Sequence, residues 1–280
     1  MDNYQLTQDQ ITAYGVCLRT EEHTPSTIEK YLRDTRAFAV WLEGRPVTRE
    51  LAAEWRDRLL SSGHKPITVN SMLAAVNGLF RFLGWGIRVK FLKVQRRLFR
   101  DQSRELTRGE YDLLVNTARA AGKERLALLM EAVCATGVRV SEVKYLTVEA
   151  AQCGRAEIAL KGKIRTILLP NKLCRKLLKY ARKQKIASGE IFLTRSGRSL
   201  SRRQIWAEMK QLCKATGVAS EKVYPHNLRH LFARTFYQAC KDIARLADVL
   251  GHSSIETTRI YLVTTGAEQV RQLDRLGLVS

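Results

Sequence analysis

Apolar residues recur at helical intervals through most of the first ~90 residues, and that rhythm limits the fold more than any other feature of the chain. Thr24-Pro25-Ser26 has the form of a helix start, with proline in the first turn. Ile28, Tyr31, Leu32, Phe38, Trp41 and Leu42 then fall on one stripe, and Gly44-Arg45-Pro46 ends it. A second start at Thr48 runs through Leu51, Trp55 and Leu59 to Ser62-Gly63. A third follows Pro66, with Val69, Met72, Leu73, Val76, Leu79, Phe80 and Leu83 aligned. Aromatic residues on stripes like these belong to a helical core rather than to a base-stacking platform.

Beyond residue 86 the rhythm breaks. Lys90, Lys93, Arg96, Arg97 and Arg100 crowd a stretch that reads as a basic linker, either a solvated loop or, the preferred reading, a strap along a DNA backbone. Periodicity returns at Leu106, where Thr107 and Glu110 have the spacing of a capping box. Helices are expected over 107–120 and 124–136. Ala156–Leu160 and Arg165–Leu169 alternate about a Lys-Gly-Lys turn and predict a β-hairpin. Further helices are expected over 171–186, 201–216, 226–239 and 241–250. The chain contains no internal repeat and no low-complexity tract. The expected fold is mainly α with a small antiparallel β-sheet, divided into a helical domain over 1–89, the linker over 90–104 and a second domain over 105–280.

Charge narrows the partners. Residues 1–100 carry 16 Lys and Arg against 10 Asp and Glu, and the remainder carries 32 against 17, for a formal net charge of +21. So large a surplus repels itself in a compact state and suits a polyanion. Nucleic acid is the first candidate and an anionic membrane the second, since no lipid-binding helix stands out. No run approaches the ~18 apolar residues of a membrane span, and MDNYQLTQDQ lacks a signal-peptide core. The expected location is cytoplasmic, with the nucleoid. Cys17, Cys134, Cys153, Cys174, Cys213 and Cys240 include no CxxC pair and read as reduced, partly buried thiols.

Three clusters carry chemistry. In Ala135-Thr136-Gly137-Val138-Arg139-Val140-Ser141-Glu142-Val143, a glycine turn leads towards a helix with Arg139 expected in its first turn. The helix dipole disfavours a cation there, so Arg139 needs an anion or a carboxylate, and Glu142 is placed to orient it. In Tyr224-Pro225-His226-Asn227-Leu228-Arg229-His230, Pro225 starts a helix and puts His226 and Arg229 on one face. An imidazole beside a guanidinium suits the oxygens of a phosphate. His226 and His230 also have the spacing of a zinc pair. Asn227 stands where a metalloprotease helix needs its glutamate, however, and no third ligand is evident. No metal and no cofactor are expected. The third cluster is Leu250-Gly251-His252-Ser253-Ser254 followed by Ile255 to Tyr261, in which Tyr261 alone would read as a core aromatic.

The order and spacing of these clusters resemble the tyrosine recombinase (phage integrase) family: TGVRVSEV, a lysine in a hairpin turn, HNLRH, LGH, and a tyrosine nine residues after that histidine. The motifs extend over 106–261, and the N-terminal segment is similar to the family's helical core-binding domain. The subgroup it most resembles is Xer-like, with no added arm-binding domain. The resemblance implies an α/β catalytic domain of the DNA breaking-rejoining type. It implies phosphate-clamping roles for Arg139 and Arg229, the HxxR histidine at His226, the LGH histidine at His252, the hairpin lysine at Lys161 and the nucleophile at Tyr261. His230 matches the last residue of the HxLRH motif. The family hairpin is often GKGxKxR. Here it is Leu160-Lys161-Gly162-Lys163-Ile164-Arg165, shortened and with leucine for glycine, so Lys163 stays open as the alternative to Lys161.

The set is chemically coherent. Attack on a phosphodiester builds negative charge on the non-bridging oxygens, which two guanidiniums from separate elements can absorb. A phenol ordinarily titrates near ~10 and must lose its proton as it attacks, which nearby cations favour. His226 is placed to take that proton, and a lysine can give one to the leaving 5′-oxygen. The product implied is a 3′-phosphotyrosine. No Walker motif is present, and resealing uses the stored bond rather than ATP. The resemblance also implies double-stranded DNA with a specific recombination site as partner, and a tetramer on DNA. The apolar tail of Val270, Leu273, Leu276, Leu278 and Val279 would pack on its own domain or on a neighbouring subunit, and the family favours the neighbour. A topoisomerase-like strand relaxer and a non-catalytic DNA-binding regulator are the competing readings. All six expected positions are filled, which argues against the regulator.

Overall fold

The computed structural model describes residues 4–94, 102–160, 163–261, 270, 271 and 274–277. The architecture is mainly α-helical with one two-stranded antiparallel sheet. The chain divides into two compact units, Met1–Arg96 and Arg97–Ser280.

The first unit contains α1 (Gln8–Thr20), α2 (Pro25–Leu42), α3 (Arg49–Ser61) and α4 (Pro66–Phe82). Pro25 and Pro66 each occupy the opening of their helix, where a missing N–H costs nothing. Thr48 caps α3 by accepting from the Leu51 N–H. The apolar stripes meet in a core where Trp55 and Phe80 both pack edge-on to Phe38, at 5.0 and 5.7 Å between ring centres. Phe38, Trp55 and Phe80 thus sit inside the unit, with Tyr31 and Trp41 half-buried against it. Beyond α4 the backbone is tied back to it. The Asn77 side chain exchanges both its hydrogen bonds with Val89, and Asn70 does the same with Leu92. Ile87 and Val89 are buried against the same core. Residues 95–101 of the expected linker, Arg96, Arg97 and Arg100 among them, lie outside the described residues.

The second unit begins with α5 (Arg108–Ala120), closed by the Thr107–Glu110 capping box. α6 (Glu124–Thr136) ends on Gly137 in the left-handed conformation. Then come a 3₁₀ helix (Val140–Tyr145), α7 (Val148–Cys153), β1 (Arg155–Leu160) and β2 (Lys163–Leu168). The strands pair in register from Arg155 with Leu168 to Leu160 with Lys163. Lys163 is therefore the first residue of β2, and Lys161 and Gly162 lie outside the described residues. α8 (Asn171–Lys183), α9 (Arg202–Thr216), α10 (Pro225–Cys240), α11 (Ile243–Leu250) and α12 (Ile255–Arg259) complete the unit. α6 is buried almost all round and lies at the centre, packed by α5, α8, α9 and α10. No helix among the described residues is long and apolar enough to cross a membrane.

Candidate active site

Two helix-ending glycines hold the site together. Gly137 ends α6 and Gly251 ends α11, both with positive φ. At each, an added Cβ would come within 2.5 Å of a side chain, Phe232 at the first and Arg165 at the second. The left-handed turn leaves each carbonyl free of its helix, and each accepts from an arginine. Arg229 donates to Gly137 O, and Arg139 donates to Gly251 O at 3.3 Å. The loop carrying Arg139 thus braces Arg229, and the loop carrying His252 braces Arg139.

Arg139 does not lie in a helical first turn as the sequence suggested. It is extended (φ −73°, ψ 148°) and precedes the 3₁₀ helix. Its backbone N–H donates to Glu142 Oε2 at 2.8 Å and its guanidinium to Glu142 Oε1 at 2.9 Å. Arg165, from β2, donates to Glu142 Oε2 at 2.5 Å. Glu142 is 2% exposed. Burial pushes its carboxyl up, but the Arg139 N–H and the Arg165 and Arg139 cations outweigh that and hold it below the ordinary carboxylate value. One ionised carboxylate therefore orders two arginines and ties the hairpin to the Arg139 loop. Arg165 was not among the residues singled out from the sequence, because in RTILL it reads as one position of an alternating strand.

α10 supplies Arg229, itself 2% exposed. Its guanidinium donates to Leu250 O at 2.8 Å and lies 2.9 Å from His252 Nε2. Burial lowers its pKa, with the neighbouring Arg139 and Arg165 adding to the shift and the Tyr261 hydroxyl, a hydrogen-bond partner, opposing it. Asn227, between His226 and Arg229, donates to the carbonyls of Arg104 and Lys222, both at 2.8 Å. That amide locks the start of α10 to the start of the unit.

Tyr261 follows α12 and is 3% exposed. Its ring meets His230 edge-on at 4.5 Å, lies parallel to His252 at 5.9 Å, and is 6.4 Å from His226. Burial, then the charges of Arg229, Arg202 and Arg139, pushes His226 below the ordinary histidine value. Burial followed by the charge of His226 takes His230 down to about 4. Burial followed by Arg229 and Arg139 does the same to His252, again to about 4. All three imidazoles are neutral near pH 7.

The structure thus brings Arg139, His226, Arg229, His252 and Tyr261 into one cluster. Lys161 lies outside the described residues, as does the Lys163 side chain. Beside the cluster opens a cleft of about 610 Å³, to which α9 contributes Arg202, Arg203 and Trp206 next to Arg139, His226 and Arg229. The α9 residues had no signal in the sequence beyond composition. Among the described residues no group of three or more His, Cys, Asp or Glu side chains is placed to hold a metal. His226 and His230 stack edge to face at 4.6 Å.

Comparison with known proteins places the chain in a family. Residues 104–267 match the phage integrase family. The chain is 31% identical to tyrosine recombinase XerC of Roseiflexus castenholzii, over 90% of this chain and 88% of that protein. It is 26% identical to tyrosine recombinase XerA of Pyrococcus furiosus, over 98% of this chain and 96% of that one. Its fold is similar to that of a lambda integrase tetramer bound to a Holliday junction, with a TM-score of 0.74 and 19% identity over 93% of this chain and 78% of that one.

Proposed function

The chain belongs to the phage integrase family and is Xer-like, and on that footing we propose that it is a site-specific DNA recombinase acting through a 3′-phosphotyrosine. The observation that carries the reading is the convergence of two guanidiniums, three imidazoles and one phenol from four separate segments of the chain. Arg139 and Arg229 bind the non-bridging oxygens of the scissile phosphate and take up the charge that grows there. Tyr261 Oη bonds to phosphorus while the bond from phosphorus to the 5′-oxygen breaks. The phenolic proton passes to neutral His226, and Lys161 gives the departing 5′-oxygen its proton. Reversal by a 5′-hydroxyl restores the phosphodiester, so neither ATP nor a metal enters the balance. The partner is double-stranded DNA carrying a defined site. Two cuts on each of two duplexes require four subunits, and the likeness to a recombinase tetramer on a junction supports that assembly.

The test uses a nicked suicide duplex and a denaturing gel. The native chain should form a covalent protein–DNA band in excess EDTA. Tyr261→Phe should bind the duplex within about 2-fold of wild type, since phosphate contacts dominate affinity, and form no such band. A band of wild-type intensity from Tyr261→Phe would reject the assignment. A native chain that binds but never traps DNA would favour a non-catalytic regulator. Trapping with supercoil relaxation, but no exchange between two defined sites, would favour a strand relaxer.

A further inference from the structure

Helix α8 carries its charge in an unusual way. Its sequence, NKLCRKLLKYARK, holds six basic residues and no acidic one. Lys172, Arg175, Lys179 and Arg182 are exposed, and their 3, 4, 3 spacing sets them within about 80° of arc around the helix. Leu173, Cys174, Leu177, Tyr180 and Ala181 are buried on the opposite side. The other two lysines are neutralised: Lys176 pairs with Glu131 at 2.7 Å and Lys183 with Glu124 at 2.6 Å. Among the described residues, none of the four stripe cations has an ion-pair or hydrogen-bond partner. Four like charges in a line repel one another, and here carboxylates have been supplied to their neighbours and not to them.

The stripe is also separate from the active site, whose cleft it does not line. α8 lays its apolar side on α6 and α7, and α10, which carries His226 and Arg229, packs on α6 as well. Glu131 and Glu124, which hold Lys176 and Lys183, belong to α6. The four free cations lie opposite the apolar side that α8 lays on α6 and α7, and none of them lines the cleft beside the catalytic cluster. They extend over eleven residues, ten rises and so ~15 Å of helix, which matches about four phosphate steps of one DNA strand at ~3.4 Å each. Because the apolar side is buried in the core, the helix has none left to insert into a lipid surface.

We infer that the outer face of α8 is a second duplex-binding surface, which holds a DNA segment other than the one in the catalytic cleft. This rests on the DNA-binding reading above. Once a duplex occupies the cleft, other stretches of the same molecule stand at high effective concentration, so a weak electrostatic site is enough to retain one.

The experiment saturates the full-length chain on an immobilised duplex of roughly 40 base pairs and random sequence, then adds a labelled duplex of the same length. The native chain should capture the second duplex. The Lys172→Gln/Arg175→Gln/Lys179→Gln/Arg182→Gln variant keeps helix propensity and removes four charges. It should capture at least ~10-fold less, with the slope of log binding against log salt reduced by about 3 to 4, while affinity for the first duplex stays within ~2-fold. Lys172→Gln/Arg175→Gln alone should give about half that change in slope. Unchanged capture by the fourfold variant overturns the inference and leaves the face to an acidic protein or to none. Equal losses for both duplexes overturn it too, by placing the four residues in a single footprint. Failure of the native chain to bind even the first duplex strikes the DNA-binding reading itself.

Discussion

An arginine offers five N–H donors and no acceptor, and that settles the tautomer of His252. Its Nε2 faces the Arg229 guanidinium at 2.9 Å and must accept, so Nδ1 carries the proton and donates to Thr258 Oγ1, also at 2.9 Å. Thr258 is fully buried one turn before Tyr261, whose N–H donates to the Thr258 carbonyl. A single threonine therefore fixes both the imidazole and the start of the segment bearing Tyr261, the proposed nucleophile. Thr258→Val keeps the shape and removes the acceptor. It should slow formation of the covalent complex by about 10-fold, the equivalent of ~1.4 kcal/mol. Thr258→Ser should restore most of the rate. Imidazole ¹⁵N shifts should report one Nδ1–H form of His252 in the native chain and a mixture in the valine variant. An unmixed Nδ1–H signal with full activity in Thr258→Val would contradict this role.

Among the elements, the hairpin shows most clearly what a sequence discloses. Its existence was legible from alternation about a glycine, and the helices from their caps and periodicity, because those signals are local. α1 was not singled out, since Ile11, Tyr14 and Leu18 are scattered through a largely polar segment. The 3₁₀ form of Val140–Tyr145 was not legible either. There Glu142 must reach two arginines at once, one of them 23 residues away in β2, and no local pattern encodes that demand. The site residues sorted in the same manner. Those in motifs were visible, while Arg165, Thr258, Arg202 and Arg203 depend on contacts between distant segments. The hairpin also bears on the general acid. Pairing of Leu160 with Lys163 makes Lys163 a strand residue, while Lys161 lies outside the described residues, so the choice falls to experiment. A substrate with a bridging 5′-phosphorothiolate has a leaving thiol that scarcely needs a proton. Lys161→Ala should slow cleavage of ordinary DNA by ~10²–10⁴-fold and of the sulfur substrate far less, whereas Lys163→Ala should show no such selective rescue. Rescue of Lys163→Ala alone would move the role to that residue.

At the scale of the whole molecule, both halves of the chain are basic, so both suit a polyanionic partner. The end of the chain behaves differently: Val270 and Leu276 are 56% and 59% exposed. Apolar side chains left in solvent near a terminus fit a contact with a second subunit better than a role in this chain's own core. Deleting residues 270–280 should leave the unfolding temperature and cleavage of a nicked duplex near wild type while recombination between two sites falls at least ~10-fold. Equal loss in both assays, with a lower unfolding temperature, would return the tail to the intramolecular core. The concealment of Tyr261 matters most before any such assembly exists. A protein this cationic meets countless irrelevant phosphates for every correct one, and it clings to them all. If its phenol stood in the open, each encounter would risk a break in a bystander strand. With that phenol buried against His230 and His252, binding a stray phosphate is not enough to bring it to phosphorus. Under the proposed chemistry, exposure of Tyr261 is then a step separate from holding DNA.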